Sequence, residues 1–191
     1  MSCHLPEGHV NIPNTLSLLR LFLVTPFLIA VIYKKYSLAL LLFILAGISD
    51  FLDGFLARRL DQKSLLGKFL DPMGDKLLTT VTFISLAIEG TVPAWLAVVV
   101  VAKDVYVALG SGIAYLGGNV SEFPPSLWGK WSTALQIITV IVVLAGTLVD
   151  GLVPLTGPLF WGTGLVTVIA GIHYVWRGLQ DFPDEKNDAP S

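Results

Sequence analysis

The chain has 191 residues, of which 54% are hydrophobic and only 14% are charged. Soluble domains usually carry about a quarter charged residues, so this composition favours an integral membrane protein with one domain. The formal net charge of -2 argues against a nucleic-acid-binding protein, which would carry a basic surface. Cys3 is the single cysteine, which excludes an intramolecular disulfide bond.

Apolar stretches of bilayer length follow one another along the chain, each near the ~20 residues that a spanning helix needs. Six of them cover approximately residues 14–33, 37–58, 64–88, 93–116, 130–149 and 155–176. Because backbone groups in a bilayer must be hydrogen-bonded internally, each stretch is predicted to be a helix. We therefore expect an all-α integral membrane protein, a bundle of six transmembrane helices over residues 1–179, followed by a polar tail over residues 180–191.

Lys and Arg are distributed unequally over the two sides of this predicted bundle. Seven lie in the termini and connections that would share one side, whereas only Lys34 and Lys35 lie in connections on the other. The positive-inside rule then predicts that the N- and C-termini are cytoplasmic. The expected location is a bacterial inner membrane.

Four aspartates recur at helical spacing across the second and third predicted spans. In each span they share one helix face with small residues, because i, i+3, i+4 and i+7 positions line one face. A basic turn between the two helices would let the two pairs of carboxylates face each other. The two sets are Asp50, Asp53, Gly54 and Ala57 in the second span, and Gly67, Asp71 and Asp75 in the third.

These carboxylates would be costly in a membrane without a counter-charge. Insertion scales put one Asp at a helix centre near ~3 kcal/mol, so four would cost on the order of 10 kcal/mol. A divalent cation removes this cost, because all-oxygen ligation suits Mg²⁺ or Mn²⁺. Two such ions could hold a pyrophosphate as a phosphorus–oxygen bond breaks, and Arg58 could contact a phosphate with two hydrogen bonds. The sequence therefore predicts a polar cavity that contains metal ions.

The order of these residues, D-x-x-D-G-x-x-A-R, then eight residues, then G-x-x-x-D-x-x-x-D, resembles the signature of the CDP-alcohol phosphatidyltransferase family at every fixed position. In length and number of spans the resemblance covers nearly the whole chain. It implies a homodimer in the membrane and a site open to the cytoplasmic leaflet. It also implies CDP-diacylglycerol as the donor of a phosphatidyl group, an alcohol as the acceptor, and CMP as a product.

The resemblance further assigns roles to the motif residues. Asp50, Asp53 and Asp71 act as metal ligands, and Asp75 combines contact to a metal with the role of general base. In that role Asp75 would deprotonate the acceptor hydroxyl, which attacks the diacylglycerol-bearing phosphorus. The CDP group is expected to lie against Asp53, Gly54, Ala57, Arg58 and Gly67.

The acceptor is expected to be glycerol 3-phosphate, because residues 11–20 resemble the start of the first span in phosphatidylglycerophosphate synthases. The alternative acceptor is phosphatidylglycerol, giving cardiolipin, since residues 103–105 look closer to that branch. Candidate acceptor-binding cations are Arg20, Lys103 and Lys130. Lys130 begins a K-x-x-T-x-x-Q element that resembles both branches, and anchoring of the helix end is an equally good interpretation of it. Lys103 and Asp104 are adjacent, so they are expected to pair with other helices or to reach toward the membrane surface.

Two other functional classes remain open at this point. A membrane cation transporter would also bury acidic residues and lysines, but it would not need the motif glycines, alanine and arginine. An isoprenoid-processing enzyme would use D-x-x-x-D pairs for pyrophosphate without regard to a cytidine group. Release of CMP from CDP-diacylglycerol in the presence of Mn²⁺ separates the three classes. His173 and Tyr174 are interpreted as residues of an interfacial aromatic belt.

Overall fold

The structure is a computed structural model that describes the backbone of residues 12–60, 65–116 and 127–180, and the side chains of residues 22–49, 76–109 and 127–176. Within these ranges every regular element is helical, as the sequence predicts. A short 3₁₀ turn, Asp150–Leu152, precedes the last helix. The α-helices are α1 (Ile12–Ile32), α2 (Tyr36–Leu60), α3 (Leu65–Ile88), α4 (Ala94–Leu116), α5 (Leu127–Gly146) and α6 (Val153–Gln180).

The chain divides into two compact units, Met1–Ser85 and Leu86–Ser191. In the first unit, α1 packs against α2. The rings of Phe27 and Phe43 lie 6.0 Å apart between their centroids, a tilted aromatic contact between the two helices. Phe27 and Ala39 are fully buried. The apolar first half of α2 is thus anchored to α1 before the acidic motif begins.

The connection between α1 and α2 is a tight helix-capping turn. Lys34 adopts a left-handed φ of 55°, the conformation that usually follows the end of a helix and that favours glycine. The N–H of Lys35 donates to the carbonyl of Ala30 at 2.8 Å, and the N–H of Lys34 donates to the carbonyl of Val31 at 2.8 Å. This pair of bonds satisfies the last carbonyls of α1, and α2 starts at once at Tyr36.

In the second unit a similar turn connects the end of α3 to α4. Gly90 has a φ of 74°, and the N–H groups of Gly90 and Thr91 donate to the carbonyls of Ala87 and Leu86. Here a glycine occupies the left-handed position, where it avoids the strain that a Cβ atom would add. The turn therefore ends α3 and lets α4 begin at Ala94.

Helix α6 is the centre of the second unit, because it contacts both α5 and α4. Ser132 of α5 bonds Thr167 of α6, and Thr139, further along α5, bonds Thr163, which lies earlier in α6. Helices α5 and α6 are therefore antiparallel. Trp95, near the start of α4, meets Trp161, whereas the later Lys103 lies against Gly171, so α4 runs parallel to α6.

Two helices in the described part of the chain are long and apolar enough to cross a membrane, Leu127–Gly146 and Asp150–Trp176. Only 33% of the most apolar stretch of the first and 17% of that of the second are buried within the protein. The core helix of a soluble protein would be mostly buried, so these outward apolar surfaces suit a lipid environment. A total of six membrane crossings stays a prediction.

Candidate functional site

The acidic motif occupies the end of α2 and the first half of α3. Asp50, Asp53, Gly54, Ala57 and Arg58 lie within Tyr36–Leu60, and Gly67, Asp71 and Asp75 lie within Leu65–Ile88. The helical backbone gives these residues the one-face spacing that the sequence analysis used. The positions of their side chains lie outside the described residues, as does the side chain of Arg20. The metal, base and CDP-binding roles therefore stay predictions.

Among the side chains that the structure describes, no three His, Cys, Asp or Glu residues lie close enough together to hold a metal ion. The four motif aspartates are not part of that set. The donor set itself fits the predicted metal, because four carboxylates on two consecutive helices supply the oxygen ligands that Mg²⁺ and Mn²⁺ prefer.

Lys103 and Asp104 form an ion pair with each other inside α4. Lys103 Nζ lies 3.1 Å from Asp104 Oδ1, and the two side chains are only 8% and 10% exposed. The expectation that these adjacent residues would pair with other helices or reach toward the membrane surface was wrong. The flexible stem of a lysine is long enough to bring the ammonium group around the helix to the next side chain. The positive charge of Lys103 is therefore balanced by the neighbouring carboxylate of Asp104.

Lys130 is the opposite case, an exposed lysine in the first turn of α5. No ion pair joins it to any other side chain that the structure describes. The antiparallel register puts Lys130 near the level of Ile169 on α6, because Ser132, two residues later, bonds Thr167. Lys103 lies against Gly171 on the same helix. The two candidate cations are thus within about one helical turn of each other along α6.

A row of polar side chains, which we call the polar seam, joins α5 to α6. Gln136 Nε2 donates to Ser132 Oγ at 3.1 Å and to Thr167 Oγ1 at 3.2 Å, and the two hydroxyl oxygens lie 3.1 Å apart. One turn earlier in α6, Thr163 Oγ1 lies 2.6 Å from Thr139 Oγ1 of α5. All five side chains are buried, with exposed fractions of 0–1%.

The polar seam contains residues that the sequence analysis did not single out. Only Gln136 was noticed, as the last residue of the K-x-x-T-x-x-Q element. A signal was present, since Ser132, Gln136 and Thr139 recur at i, i+4 and i+7, and Thr163 and Thr167 at i and i+4. Small hydroxyl residues at this spacing are typical of helix–helix contacts in membranes.

The contact between α6 and α4 has a different chemistry. Trp95 and Trp161 have ring centroids 5.0 Å apart, and Trp95 also covers Gly164. Further along the same pair of helices, an open groove of about 500 Å³ is lined mostly by apolar side chains, together with Lys103 and Thr167 of the polar seam. Its other lining residues include Tyr106, Gly171 and Trp176.

His173 and Tyr174 lie near the end of α6, and both side chains are half-buried. The Nδ1 atom of His173 is buried and has no hydrogen-bond partner among the described residues. The interpretation of the two residues as members of an interfacial aromatic belt stays a prediction.

The helical fold and the two candidate membrane spans among the described residues indicate the class of membrane-associated helical proteins. Comparison with known families narrows this class. Residues 10–171 match the family model for CDP-alcohol phosphatidyltransferases. The chain belongs to this family, and the resemblance predicted from the motif is confirmed.

Named relatives fall into two groups. The CDP-diacylglycerol–glycerol-3-phosphate 3-phosphatidyltransferase of Bacillus subtilis is 30% identical over 190 residues, which cover 89% of this chain and 97% of the relative. A probable CMP-forming cardiolipin synthase of Drosophila melanogaster is 35% identical over 188 residues. A cardiolipin synthase/mitochondrial hydrolase fusion protein of Schizosaccharomyces pombe is 31% identical over 193 residues. The chain spans 58% of the Drosophila relative and 31% of the fusion protein.

Proposed function

We propose that this protein transfers the phosphatidyl group of CDP-diacylglycerol to glycerol 3-phosphate, with release of CMP. The observation that carries the proposal is the complete acidic motif on α2 and α3, inside the region that matches the family. The Bacillus subtilis relative, which bears the name of this activity, aligns over nearly its whole length. Family membership favours this function over a cation transporter or an isoprenoid-processing enzyme.

In the proposed reaction a hydroxyl of glycerol 3-phosphate gives its proton to the carboxylate of Asp75. The hydroxyl oxygen then forms a bond to the diacylglycerol-bearing phosphorus, and the bond from this phosphorus to the oxygen of CMP breaks. CMP leaves with that electron pair. Asp50, Asp53 and Asp71, together with Asp75, would hold two Mg²⁺ or Mn²⁺ ions, whose chemistry is neutralisation of the pyrophosphate charge.

The rest of the proposed donor site comes from the small residues of the motif and from Arg58. A glycine or alanine at positions 54, 57 and 67 leaves room for the flat cytidine group and the ribose. Arg58 offers a guanidinium fork for a phosphate. We also propose that the protein crosses the membrane several times with both termini in the cytoplasm, and that it acts as a homodimer in a bacterial inner membrane.

The proposed acceptor site contains Lys130, with Lys103 and Arg20 as further candidates. Lys130 is exposed, and its ammonium group can form charge-assisted hydrogen bonds to the phosphate of glycerol 3-phosphate. The neutralisation of Lys103 by Asp104 favours the second candidate function, cardiolipin synthesis from phosphatidylglycerol. That acceptor carries one phosphodiester charge and needs fewer cationic groups than a phosphomonoester.

The proposed function is tested by measuring CMP release from CDP-diacylglycerol by purified protein in detergent micelles. Glycerol 3-phosphate and phosphatidylglycerol are supplied in turn with Mg²⁺ or Mn²⁺, and the lipid products are identified. We expect phosphatidylglycerophosphate from the first acceptor. A larger rate with phosphatidylglycerol would replace the first candidate with the second, and no CMP from any acceptor would refute the transferase proposal.

Asp71→Asn tests the proposed metal role. The substitution removes a carboxylate ligand but nearly preserves side-chain volume, so we expect loss of CMP release with no change in thermal stability in the absence of metal. The measurement is the initial rate across a Mn²⁺ titration. A normal rate at saturating Mn²⁺ would show that Asp71 is not a ligand that the reaction needs.

Lys130→Ala tests the proposed acceptor role. Loss of a charge-assisted contact worth ~1.5–3 kcal/mol should raise the KM for glycerol 3-phosphate roughly ten-fold or more. The KM for CDP-diacylglycerol should change much less. Equal losses for both substrates would instead indicate general support of the site, and no loss would leave Lys130 as an anchor of the helix end.

A further inference from the structure

The start of α5 is tied to α6 by a closed group of three polar side chains. Gln136 Nε2 donates to Ser132 Oγ at 3.1 Å and to Thr167 Oγ1 at 3.2 Å, and a third hydrogen bond of 3.1 Å joins the two hydroxyls. Gln136 is only 1% exposed. We call these three residues the Gln136 tie.

The tie lies next to Lys130. Helix α5 begins at Leu127, so Lys130 is in its first turn and Ser132 follows two residues later. The first four N–H groups of a helix have no partner within the helix, and helix ends fray for this reason. Thr133, the other polar residue of the same element, donates to the carbonyl of Gly129 in its own helix and does not reach α6 through this bond. At this end of α5, the hydrogen bonds to α6 that the structure describes come from the Gln136 tie.

An amide at this buried position has a specific cost and a specific benefit. A buried amide must be hydrogen-bonded, and an apolar side chain of similar size would fill the space without that requirement. The directional bonds of the amide fix the rotation and the level of α5 against α6, which apolar contacts specify less sharply. Gln136 is therefore suited to fixing the first turn of α5, which contains Lys130 six residues earlier.

We propose that Gln136 is a positioning residue for the acceptor: by bonding Ser132 and Thr167 it holds the first turn of α5 and thereby the ammonium group of Lys130. The inference rests on the proposed function, in which Lys130 contacts the acceptor phosphate. Lysine has a flexible stem, and a cation on an ordered helix end loses less conformational entropy when it binds. The tie should therefore lower the KM for the acceptor without changing the chemical step.

The polar seam supplies a matched control on the same two helices. Thr139 and Thr163 bond each other at 2.6 Å and are both fully buried, but Thr163 lies about one turn further than Thr167 from the level of Lys130 along α6. Thr167→Val and Thr163→Val each remove one hydroxyl with little change in shape. Thr167→Ser and Thr163→Ser each keep the hydroxyl. A merely structural role would give the two positions the same kinetic consequences.

The experiment measures initial rates of CMP release in detergent micelles while each substrate is varied in turn. For Thr167→Val and Gln136→Leu we expect the KM for glycerol 3-phosphate to rise roughly two- to ten-fold, the range that one neutral hydrogen bond supports. kcat and the KM for CDP-diacylglycerol should stay within two-fold. Thr167→Ser should restore the KM, and Thr163→Val should leave it unchanged.

Combination with Lys130→Ala gives a second readout. In a chain that already lacks the Lys130 ammonium, Thr167→Val should have no further effect on the KM for the acceptor, because the group that it positions is gone. Equal changes for Thr167→Val and Thr163→Val, or additive effects with Lys130→Ala, would overturn the inference. So would unchanged kinetics in Gln136→Leu. A wild-type protein that releases no CMP refutes the proposed function instead, whereas an active wild type with silent tie variants refutes only the positioning role.

Discussion

Helix α6 is held on its two sides by opposite kinds of contact. Toward α5 it presents the polar seam, in which buried hydroxyl and amide groups bond one another. Toward α4 it presents Gly164 and Trp161 against Trp95, followed by the apolar groove at Lys103. This difference explains why the two candidate acceptor lysines have different surroundings. Lys103 lines the mostly apolar groove and takes its counter-charge from Asp104, while Lys130 lies near the end of the polar seam.

The hydrogen bond between Thr139 and Thr163 in the polar seam has a defined donor. A hydroxyl has one hydrogen, and the hydroxyl of Thr139 donates its hydrogen to the carbonyl of Leu135 at 2.8 Å. Thr163 must therefore be the donor in the 2.6 Å bond to Thr139. The contact between α4 and α6 depends on the fit of side-chain shapes rather than on directional hydrogen bonds. Substitutions on the α4 side should accordingly act through charge and volume, and those on the α5 side through single hydrogen bonds.

The largest loss of stability is expected from Asp104→Asn. This substitution removes the carboxylate that pairs with the ammonium group of Lys103, whose side chain is only 8% exposed. Removal of one partner from a buried pair costs about 3–5 kcal/mol. Thermal melting in detergent micelles should show a clear fall in Tm.

The double variant Lys103→Met/Asp104→Leu is the control for that experiment. Replacement of both partners by apolar groups of similar size is close to neutral or stabilising, so most of the lost stability should return. If Asp104→Asn alone has no effect on Tm, the pair is solvated in the membrane protein and the two sides of α6 differ less than we infer.

A smaller loss of stability is expected from Gly164→Ala. A Cβ atom added at this position would lie 2.5 Å from Cζ3 and 2.9 Å from Cη2 of Trp95, so the indole must move. Overpacking of this kind costs about 1–3 kcal/mol.

Gly162→Ala, on the same helix, is the matched control, because a Cβ atom there meets nothing within 4 Å. Alanine is favoured over glycine inside a helix by about 1 kcal/mol, so this variant should raise Tm. Equal Tm changes for the two glycine variants would contradict a close contact between α4 and α6.

The smallest effect is expected from Thr163→Val, which removes one neutral hydrogen bond of the polar seam. The loss should be about 0.5–1.5 kcal/mol. Each single variant leaves one buried hydroxyl without its partner, whereas Thr139→Val/Thr163→Val removes both hydroxyls. The loss of stability in the double variant should therefore be smaller than the sum of the two single losses. Strict additivity of the melting data would show that the two hydroxyls do not interact.

The sequence predicted the helices well, because each is a long apolar stretch bounded by turn residues. It also identified the family, since the fixed spacing of Asp, Gly, Ala and Arg in the motif can be recognised without knowledge of the fold. The roles of these residues stay predictions. It did not predict the left-handed turn at Lys34, where the helix-capping bonds impose a conformation that lysine disfavours. A glycine in that conformation, Gly90, was recognisable.

The partners of buried polar residues could not be predicted from the sequence. Helical spacing shows that Ser132 and Gln136 share a face of α5, but which helix covers that face depends on tertiary packing. For Lys103 the spacing along the helix was misleading. Spacing alone takes no account of the length of the lysine side chain, which lets the ammonium group reach the adjacent residue. The assignments for the candidate site rest on motif chemistry, since its side chains lie outside the described residues.

The short connection between α5 and α6 has a consequence for the order of folding. Only residues 147–149 and the 3₁₀ turn separate the two helices, and the bonds between α5 and α6 join residues 24 to 35 positions apart. A shorter loop has a smaller entropic cost of closure, so these pairs form before pairs at greater separation. Contacts between α4 and α6 must instead enclose all of α5. We therefore expect the α5–α6 hairpin to assemble first and to offer its remaining face as the template on which α4 docks.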